Sequence, residues 1–244
     1  MFTPTAFSSQ GIVRDGLVLW LDVNDKTSYP GSGTVWRDLS LGGNDGTLTN
    51  GPTFDSANGG SIVFDGTNNY VNLGNTLNLG TNSVTVICWV KLTDSSMQST
   101  VRTPFSKASA RGLLGRYWFN IQTAVARRGK IRAGFDGGAG GVNADGVTDI
   151  RDTGWRMITV VWDRLGDLSV YLENTLEANS DISSYSAVNM QSTDNLQIGA
   201  YSDSSGNPGA FLWQGNIAST FYYNRVLTLT EITQNYNATK NRYL

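Results

Sequence analysis

Residues 155–172 carry the pattern that most restricts the fold of this chain, because they read as a β-hairpin. Both alternating faces of residues 156–162 are mostly apolar, which is typical of a strand inside a sheet that is covered on both sides. Residues 163–167 include a glycine and fit a five-residue turn, after which apolar residues return at every second position. We therefore predict a strand in the centre of a sheet, paired with the strand that follows it. A second tight turn is expected at residues 173–175, where Asn174 tolerates positive φ.

The composition favours one all-β domain. The chain has 244 residues with 28 Gly and 5 Pro, and its short apolar runs are separated by segments rich in Gly, Ser, Thr and Asn. This pattern is typical of a sandwich or barrel, a class that often reaches such a length as a single domain. A core of this size needs neither disulfides nor metal. The one cysteine, Cys88, lies in an apolar strand pattern and is expected to be a core residue.

Charge and hydropathy exclude several partners. The formal net charge is −2 and the longest run of basic residues is the pair Arg127 and Arg128, so nucleic acid is not an expected partner. No apolar stretch reaches the roughly 18 residues of a membrane span, and the residues after Met1 lack the pattern of a cleavable signal. We therefore expect no membrane partner.

Further strands are predicted wherever apolar residues alternate between turn signals. They cover residues 17–21, 61–64, 70–73, 84–92, 116–123, 130–135, 195–199 and 211–223. The strands at 61–64 and 70–73 flank an Asp-Gly turn and are therefore predicted to form a hairpin. Residues 136–152 are rich in glycine and aspartate and are predicted to be a long functional or mobile loop.

One helix is predicted, at residues 229–239. Thr228 and Glu231 have the spacing of a capping box, in which the threonine oxygen accepts from the Glu231 amide and the glutamate reaches back to the Thr228 amide. Leu227 and Ile232 flank this box as a hydrophobic staple. The helix is expected to end the domain.

Four segments of the chain resemble, in the same order, the laminin-G-like, concanavalin A-like lectin/glucanase superfamily. They are residues 61–71, 84–92, 155–175 and 213–232. The resemblance extends over residues 15–240 and implies an all-β fold, a two-sheet antiparallel jelly-roll sandwich with one short C-terminal helix. Residues 16–22 and 29–36 further resemble a subgroup that is common among structural proteins of tailed bacteriophages.

Catalysis is not expected, because the acids are wrongly spaced. Glycoside hydrolysis uses two facing carboxyl groups, about 5–5.5 Å apart in retaining enzymes. On a strand such a pair requires Asp or Glu at positions i and i+2, or i and i+4, on one face. No two carboxylates of this chain stand at i and i+2, and the central strands carry none except at their ends. The Glu-x-Asp-x-x-Glu signature of glucanases with this fold is absent, and the chain has no histidine to activate a serine or cysteine nucleophile. We therefore predict that the protein is not an enzyme.

The resemblance also implies a structural Ca²⁺ site, although the sequence requires no cofactor. Related sandwiches build this site from an acid near the first strand and an acid in the Phe-Asp-Gly loop, positions that Asp22 and Asp65 match. They often add an acid after the isoleucine of the last long strand, where this chain has Ile217 followed by Ala218. Ca²⁺ takes carboxylate and carbonyl oxygens. The alternative, which the missing acid favours, is that Asp65 forms an Asx turn.

Glycan binding would need aromatic side chains beside amides and carboxylates, since sugars present an apolar face and a rim of hydroxyls. The candidate ligand-binding residues are Trp118, Asp136, Asp145, Tyr201, Asp203, Asn207 and Trp213. For each aromatic the alternative is burial in the core, because a sandwich with 7 Trp must bury most of them. No catalytic residue is assigned.

Two classes of function are consistent with these observations. The first is a non-enzymatic virion structural protein of a bacteriophage, a capsid decoration or fibre-type subunit on the virion surface. It would be a homo-oligomer that contacts other virion proteins and displays the sandwich toward a cell-surface glycan. The alternative is a free, extracellular carbohydrate-binding lectin or adhesin. The phage-like segments and the single cysteine favour the first class.

The start of the chain is predicted to attach the domain to something else. Residues 1–14 are predicted to be an extended N-terminal arm, followed by the jelly-roll domain at 15–244. Phe2, Phe7 and Ile12 are too few apolar residues to form a core but enough to anchor an extended segment on another chain. Such a segment gains affinity by adding to an exposed sheet edge. We therefore predict that the arm fastens the subunit to its particle or to a neighbouring copy.

Overall fold

The hairpin predicted at residues 155–172 is present. Its strands, Trp155–Trp162 and Asp167–Leu172, pair in antiparallel register, and the first of them also pairs with a strand on its other side. In the second turn Glu173, not Asn174, adopts the positive φ of 59°. The prediction for Asn174 was therefore wrong. The Glu173 carboxylate accepts from Arg156 and from the Met157 N–H of the neighbouring strand, at 3.1 and 3.3 Å.

The computed structural model of the protein describes residues 11–94, 97, 100–108, 115–138, 140–202 and 208–244. The strands in these residues are β1 (Leu17–Asp22), β2 (Val35–Trp36), β3 (Gly46–Thr49), β4 (Thr53–Asp55), β5 (Ser61–Asp65), β6 (Tyr70–Asn72), β7 (Val84–Leu92), β8 (Arg102–Lys107), β9 (Arg116–Ile121), β10 (Lys130–Asp136), β11 (Gly141–Asp149), β12 (Trp155–Trp162), β13 (Asp167–Leu172), β14 (Thr175–Asp181), β15 (Leu196–Ile198), β16 (Tyr201–Ser202), β17 (Pro208–Ala210) and β18 (Gln214–Tyr223). An α-helix, α1 (Leu229–Thr239), follows the last strand. Among the described helices, none has the length and apolar character needed to cross a membrane.

The strands form two antiparallel sheets that pack face to face. Sheet 1 has the order β14-β13-β12-β7-β18-β5-β4, with β1 also paired to β18. Sheet 2 has the order β11-β10-β9-β8-β15-β6-β3-β2, and β16 with β17 forms a small separate ribbon. The predicted fold class, a two-sheet antiparallel jelly-roll sandwich with one short C-terminal helix, is confirmed.

The main core lies between the sheets and is built by alternation. Every second residue of β7, from Val84 to Leu92, points into it, and so do the inward residues of β9 and β12. Cys88 is fully buried there, as predicted, and burial raises the pKa of its thiol to about 12. Each fully buried aliphatic or aromatic side chain contributes about 1.5–3 kcal/mol. The core therefore accounts for most of the stability of the sandwich.

A second apolar cluster covers the outer face of sheet 1, and we call this surface the helix-covered face. Its sheet residues include Ile87, Trp89, Met157 and Phe221, which pack beneath α1 and the residues after it. The Trp89 indole N–H donates to Thr239 Oγ1 at 2.8 Å. This face is a second core, closed by the end of the chain.

The helix begins as predicted. Thr228 Oγ1 accepts from the Glu231 N–H at 3.3 Å, and the Glu231 carboxylate accepts from the Thr228 N–H at 2.8 Å. Leu227 and Ile232, the predicted staple residues, are both buried in the second cluster. The prediction of residues 229–239 is thus confirmed at both ends.

The predicted hairpin of residues 61–64 and 70–73 does not form. Strand β5 pairs with β18 in sheet 1, whereas β6 pairs with β3 and β15 in sheet 2. The Asp-Gly turn therefore passes the chain from one sheet to the other. A turn signal specifies only the local reversal, so it could not reveal that its two flanking strands join different sheets.

The predicted loop at residues 136–152 is instead largely strand β11, at the edge of sheet 2. Its pairing with β10 shifts between Asp145 and Asp149, which marks a bulge. Glu177 of β14 accepts from the Val147 and Thr148 N–H groups at 2.9 and 2.8 Å. These bonds satisfy part of the open edge and join it to sheet 1, so a strand rich in glycine and aspartate can persist there.

The predicted arm lies only partly within the described residues. Phe2 and Phe7 lie outside the described residues, but Ile12 packs against the second cluster and Val13 is buried in it. The Val13 N–H donates to Asn235 Oδ1 at 2.8 Å, and the Tyr223 hydroxyl donates to the Val13 carbonyl at 3.0 Å. Ile12 and Val13 therefore pack on the domain that follows them and help to complete the helix-covered face.

Candidate ligand-binding pocket

A pocket of about 360 Å³ opens on the outer face of sheet 2, and we call this surface the pocket face. It exists because β9 alternates: Tyr117, Phe119 and Ile121 are buried in the core, while Arg116 and Trp118 point outward. The pocket is lined by Val101, Arg116, Trp118, Asn120, Gln122, Arg132, Asp136, Asn143, Tyr201 and Phe211. Strands β9, β10 and β11 supply the floor, and Tyr201 and Phe211 come from the region of the β16–β17 ribbon.

One wall of the pocket is aromatic. The rings of Trp118 and Tyr201 meet edge to face, with centroids 5.9 Å apart and an interplanar angle of 87°. Tyr201 and Phe211 meet in the same way at 5.7 Å and 69°. Such edge-to-face contacts hold the rings in fixed orientations. The wall is therefore preformed, and Phe211 at its end is 37 % exposed.

Gly134 positions the indole of this wall. It stands opposite Trp118 across β9 and β10, and a Cβ atom at this position would lie 2.1 Å from Trp118 Cζ2. Only glycine leaves room for the ring to lie over the strand. From the core side, the Trp162 indole N–H donates to the Gly134 carbonyl at 3.2 Å. The backbone beneath the ring is thus fixed from both sides of the sheet.

A buried ion pair lies beside the aromatic wall. Arg116 donates to Asp136 Oδ2 at 2.9 Å, and these residues are only 3 % and 7 % exposed. Asp136 Oδ1 accepts from the Gly138 N–H at 3.1 Å, so both carboxylate oxygens have partners. The Arg116 guanidinium also lies 5.1 Å from the centre of the Trp118 ring. Removing one member of such a buried pair typically costs about 3–5 kcal/mol.

A second ion pair lies farther along the same face. Arg132 donates to both carboxylate oxygens of Asp145, at 2.5 and 2.7 Å. This hydrogen bonding is the main reason that the pKa of Asp145 lies below its usual range and the pKa of Arg132 above its own. Arg127 approaches Asp145 at 3.8 Å from a more exposed position. Asp145 is therefore ionised at neutral pH, and both of its carboxylate oxygens are bonded to Arg132.

Amide side chains complete the polar lining. The Gln122 amide donates to Asn120 Oδ1 at 2.6 Å, and both residues are largely buried. Asn143 of β11 is exposed at the pocket edge. An amide offers donors and acceptors together, as a hydroxyl-rich ligand requires. The pocket thus combines an apolar wall with groups that can exchange hydrogen bonds with hydroxyls.

The structure brings together some of the predicted ligand-binding residues and separates others. Trp118, Asp136 and Tyr201 line the pocket, and Asp145 holds the lining residue Arg132. Trp213 is fully buried in the main core, so its assignment as a ligand-binding residue was wrong. The reason is that Trp213 lies in the core between the sheets, whereas Trp118 lies on the outer face of sheet 2. Asp203 and Asn207 lie outside the described residues.

Sequence reasoning missed several lining residues. They are Val101, Arg116, Asn120, Gln122, Arg132, Asn143 and Phe211. The signal that could have found those on β9 is the alternation of residues 116–122, in which polar and aromatic residues occupy one face and large apolar residues the other. Phe211 and Asn143 carry no such signal, because only the pairing of distant segments brings them to the pocket.

The predicted calcium ligands do not fit a shared site. The Asp22 carboxylate accepts two bonds from Arg242, at 2.9 and 2.7 Å, and is thereby paired with a cation of its own chain. Asp65 Oδ1 accepts from the Thr67 N–H at 2.8 Å, as in an Asx turn. Asp22 stands opposite Ser219 and Asp65 opposite Gln214 on β18, which places them about 16 Å apart along the strand. No cluster of three or more acidic or cysteine side chains suited to a metal occurs in the described part of the chain.

Comparison with known proteins agrees with this architecture. The model of the concanavalin A-like lectin/glucanases superfamily, of laminin G type, matches residues 65–233, which is more than half of the chain. No curated protein matches the sequence.

Solved structures with a similar fold include binding domains of a mosquitocidal protein and of botulinum neurotoxins. The binding domain of Paraclostridial Mosquitocidal Protein 1 has 14% identity and a TM-score of 0.69, over 92% of this chain and 52% of that one. The botulinum neurotoxin serotype D binding domain has 12% identity and a TM-score of 0.66, over 94% and 52%. A serotype D ligand binding domain in complex with N-acetylneuraminic acid has 14% identity and a TM-score of 0.62, over 92% and 51%.

At these identities the likeness concerns the fold alone, and the chain spans about half the length of each toxin domain. The family match, by contrast, extends over most of the jelly roll, including the strands that form the pocket floor. This chain belongs to the concanavalin A-like lectin/glucanases superfamily.

Proposed function

We propose that this domain is a non-catalytic carbohydrate-binding module, and that the pocket face holds a sugar unit of a glycan. The observation that carries the proposal is the combination of an aromatic wall and buried polar groups in one pocket. Ligand pockets typically measure about 300–1,000 Å³, and the volume of about 360 Å³ is enough for a small ring.

The chemistry of the lining suits a sugar. Trp118, Tyr201 and Phe211 offer apolar surface to the C–H face of a pyranose ring, while the amides of Asn120 and Gln122 can meet its hydroxyls. Among the similar folds, one was solved with N-acetylneuraminic acid and another with SialylT. Because the chain spans about half of those domains, they support glycan binding as a use of this fold and do not identify the sugar.

The ion pairs support binding without hydrolysis. Glycoside hydrolysis requires one carboxyl group that can donate a proton and another that attacks or activates water. Asp136 is bonded to Arg116 and Asp145 to Arg132, so both carboxylates are engaged within the protein. The bonds from Arg132 also lower the pKa of Asp145 below its usual range, so this acid is not suited to donate a proton. We therefore expect the protein to bind glycans without releasing reducing ends from them.

The test is a glycan array followed by calorimetry on the strongest glycan. Trp118→Ala should weaken binding at least tenfold, since losing a central aromatic anchor often costs about 2 kcal/mol or more. Tyr171→Ala is the matched control, because Tyr171 packs on the helix-covered face on the other side of the molecule. If the wild-type protein binds no glycan, or if Trp118→Ala binds as the wild type does, the proposal fails.

For the wider role, we propose a virion structural subunit, a capsid decoration or fibre-type protein on the virion surface of a bacteriophage. Its partners would be other virion proteins and copies of itself. The support is the resemblance of residues 16–22 and 29–36 to a subgroup common in such proteins. A free extracellular lectin or adhesin is the alternative. Electron microscopy of particles with and without the protein separates the two, because only a virion subunit adds density at fixed positions.

A further inference from the structure

The charges of the pocket are already balanced within the protein. Two guanidinium groups line it, and each has a carboxylate partner: Arg116 is bound to Asp136, and Arg132 to Asp145. Both oxygens of each carboxylate accept hydrogen bonds from the protein. The two ion pairs at the pocket, counted with Asp145 behind the lining residue Arg132, therefore carry no net charge.

A third guanidinium, Arg127, stands near this network but does not line the pocket. Its side chain is 41% exposed and lies 3.8 Å from Asp145. Salt screens exposed charges, so Arg127 contributes little to binding at the pocket floor. It reinforces the existing pair and does not provide a separate anion site.

We propose that the pocket selects uncharged sugar units over acidic ones, because its own two aspartates already occupy its two guanidinium groups. This inference rests on the proposed function and deepens it by naming the ligand class. It also sets this chain apart from the similar fold that was solved with N-acetylneuraminic acid, an acidic sugar.

The physical reason is the cost of a third carboxylate. An acidic sugar would have to displace Asp136 or Asp145 from its arginine, or place its own carboxylate beside theirs. Displacing Asp136 leaves a buried aspartate without its cation, and displacing Asp145 breaks a pair that is bonded through both carboxylate oxygens. A third carboxylate beside the two aspartates brings like charges together. A neutral sugar meets neither penalty, because its hydroxyls can bond to the amides of Asn120, Gln122 and Asn143.

The experiment measures binding of two groups of oligosaccharides by calorimetry. The neutral probes are lactose, maltotriose, cellotriose and mannotriose, and the acidic probes are sialyllactose and trigalacturonate. We expect the best neutral probe to bind at least about tenfold more tightly than either acidic probe, a difference of about 1.4 kcal/mol. Its affinity should also be unaffected by added salt, because no net charge is neutralised on binding.

Two variants sharpen the test. Asp136→Asn removes the carboxylate partner of Arg116 and should raise the affinity for an acidic probe several-fold. If this variant fails to fold, Asp145→Asn, which removes the carboxylate partner of Arg132, should have the same effect. Asp149→Asn is the matched control, because Asp149 lies on the same strand as Asp145 and is paired with Arg151, but does not line the pocket. The control should leave the neutral-to-acidic ratio unchanged.

The outcomes are distinguishable. If the wild-type protein binds an acidic probe as tightly as the best neutral probe, the selectivity inference is wrong while the proposed glycan-binding function stands. The selectivity inference is also wrong if neither Asp136→Asn nor Asp145→Asn changes the affinity for the acidic probes. If no probe of either kind binds and the glycan array is also blank, the proposed function fails and the inference fails with it.

Discussion

The two outer faces of this sandwich are built on equivalent sheets but have opposite chemistry. On the helix-covered face the outward residues of β7, such as Ile87 and Trp89, are apolar and lie beneath α1. On the pocket face the outward residues of β9, such as Arg116 and Trp118, are polar or aromatic and surround a cavity. The difference shows that the jelly roll fixes only the inward face of each strand. The outward residues decide whether a face is closed for stability or left open for a ligand.

The largest expected effect is the difference in stability between two tryptophan variants, one on each outer face. Trp89→Ala should destabilise the domain by about 3–5 kcal/mol, because it removes a fully buried ring together with its bond to Thr239. Trp118→Ala should cost far less, since its ring is partly exposed and serves the pocket. Urea denaturation followed by circular dichroism measures both variants. Equal losses of stability would mean that the pocket face is also a structural core.

The second expected effect concerns the segment that completes the helix-covered face. Deleting residues 1–13 should destabilise the domain by about 2–4 kcal/mol, because Val13 leaves its buried site and Asn235 loses a buried partner. Deleting residues 1–10 should leave the domain folded. If the proposed arm attaches the subunit, this shorter deletion should also abolish incorporation into particles. Normal incorporation would show that the docking surface lies on the sandwich.

A third prediction concerns the interior between the two faces, where Lys107 is buried. Its amine donates to Asn75 Oδ1 and to the Asp194 carbonyl, and burial lowers the pKa of Lys107 from 10.5 to about 8. Above pH 8 the unfolded chain therefore binds more protons than the folded one, so stability rises with pH. The contribution of Lys107 to this rise between pH 7 and pH 9 is about 1.4 kcal/mol.

The measurement for Lys107 is the urea midpoint at these two pH values. Lys107→Met keeps the length of the side chain without the charge and should lose the rise. Burial also raises the pKa of Cys88 and of several tyrosines, so their ionisation in the unfolded chain lowers stability toward pH 9 and above. Both proteins share this loss, so the contribution of Lys107 is the difference between the wild type and Lys107→Met. A wild-type midpoint that gains no more than the Lys107→Met midpoint between pH 7 and pH 9 would contradict this prediction.

The smallest expected effect is at the cap of α1. Thr228→Ala should cost about 1 kcal/mol, because the Glu231 N–H loses its acceptor at the first turn. Leu227→Ala should cost more, since Leu227 is buried against the helix-covered face. Thr230→Ala, at an exposed position in the same turn, is the control. If Thr228→Ala and Leu227→Ala both leave the unfolding midpoint unchanged, the helix does not stabilise this face.

Predictions from local patterns succeeded where the physics is local. The capping box at Thr228 and Glu231 depends on residues three apart, and the strand Val84–Leu92 depends on alternation within nine residues. Strands with weak patterns were missed, among them β8, whose Arg102 and Lys107 are buried although their residue types favour exposure. Arg102 pairs with Asp94 and donates to the Leu212 carbonyl, and Lys107 donates to the Asp194 carbonyl. The two carbonyls lie far along the chain, which no local pattern records.

The candidate site was predictable only in part for the same reason. Trp118 and Trp213 were both predicted to bind a ligand, yet one lines the pocket and the other lies in the core. Tyr201 and Asp136 were identified as candidates, but nothing in the sequence shows that they meet at one pocket. Their meeting depends on β9, β10 and the segment around β16 lying side by side.

The sequence by itself determined the class of fold, the central hairpin at 155–172 and the closing helix, because short-range periodicity and caps encode backbone conformation directly. Only the tertiary structure decided that β5 and β6 separate into different sheets and that residues 141–149 form an edge strand. Only it placed two arginine–aspartate pairs beside an aromatic wall. Such choices depend on pairing and burial between residues distant in sequence, whose energies appear only when the sheets come together.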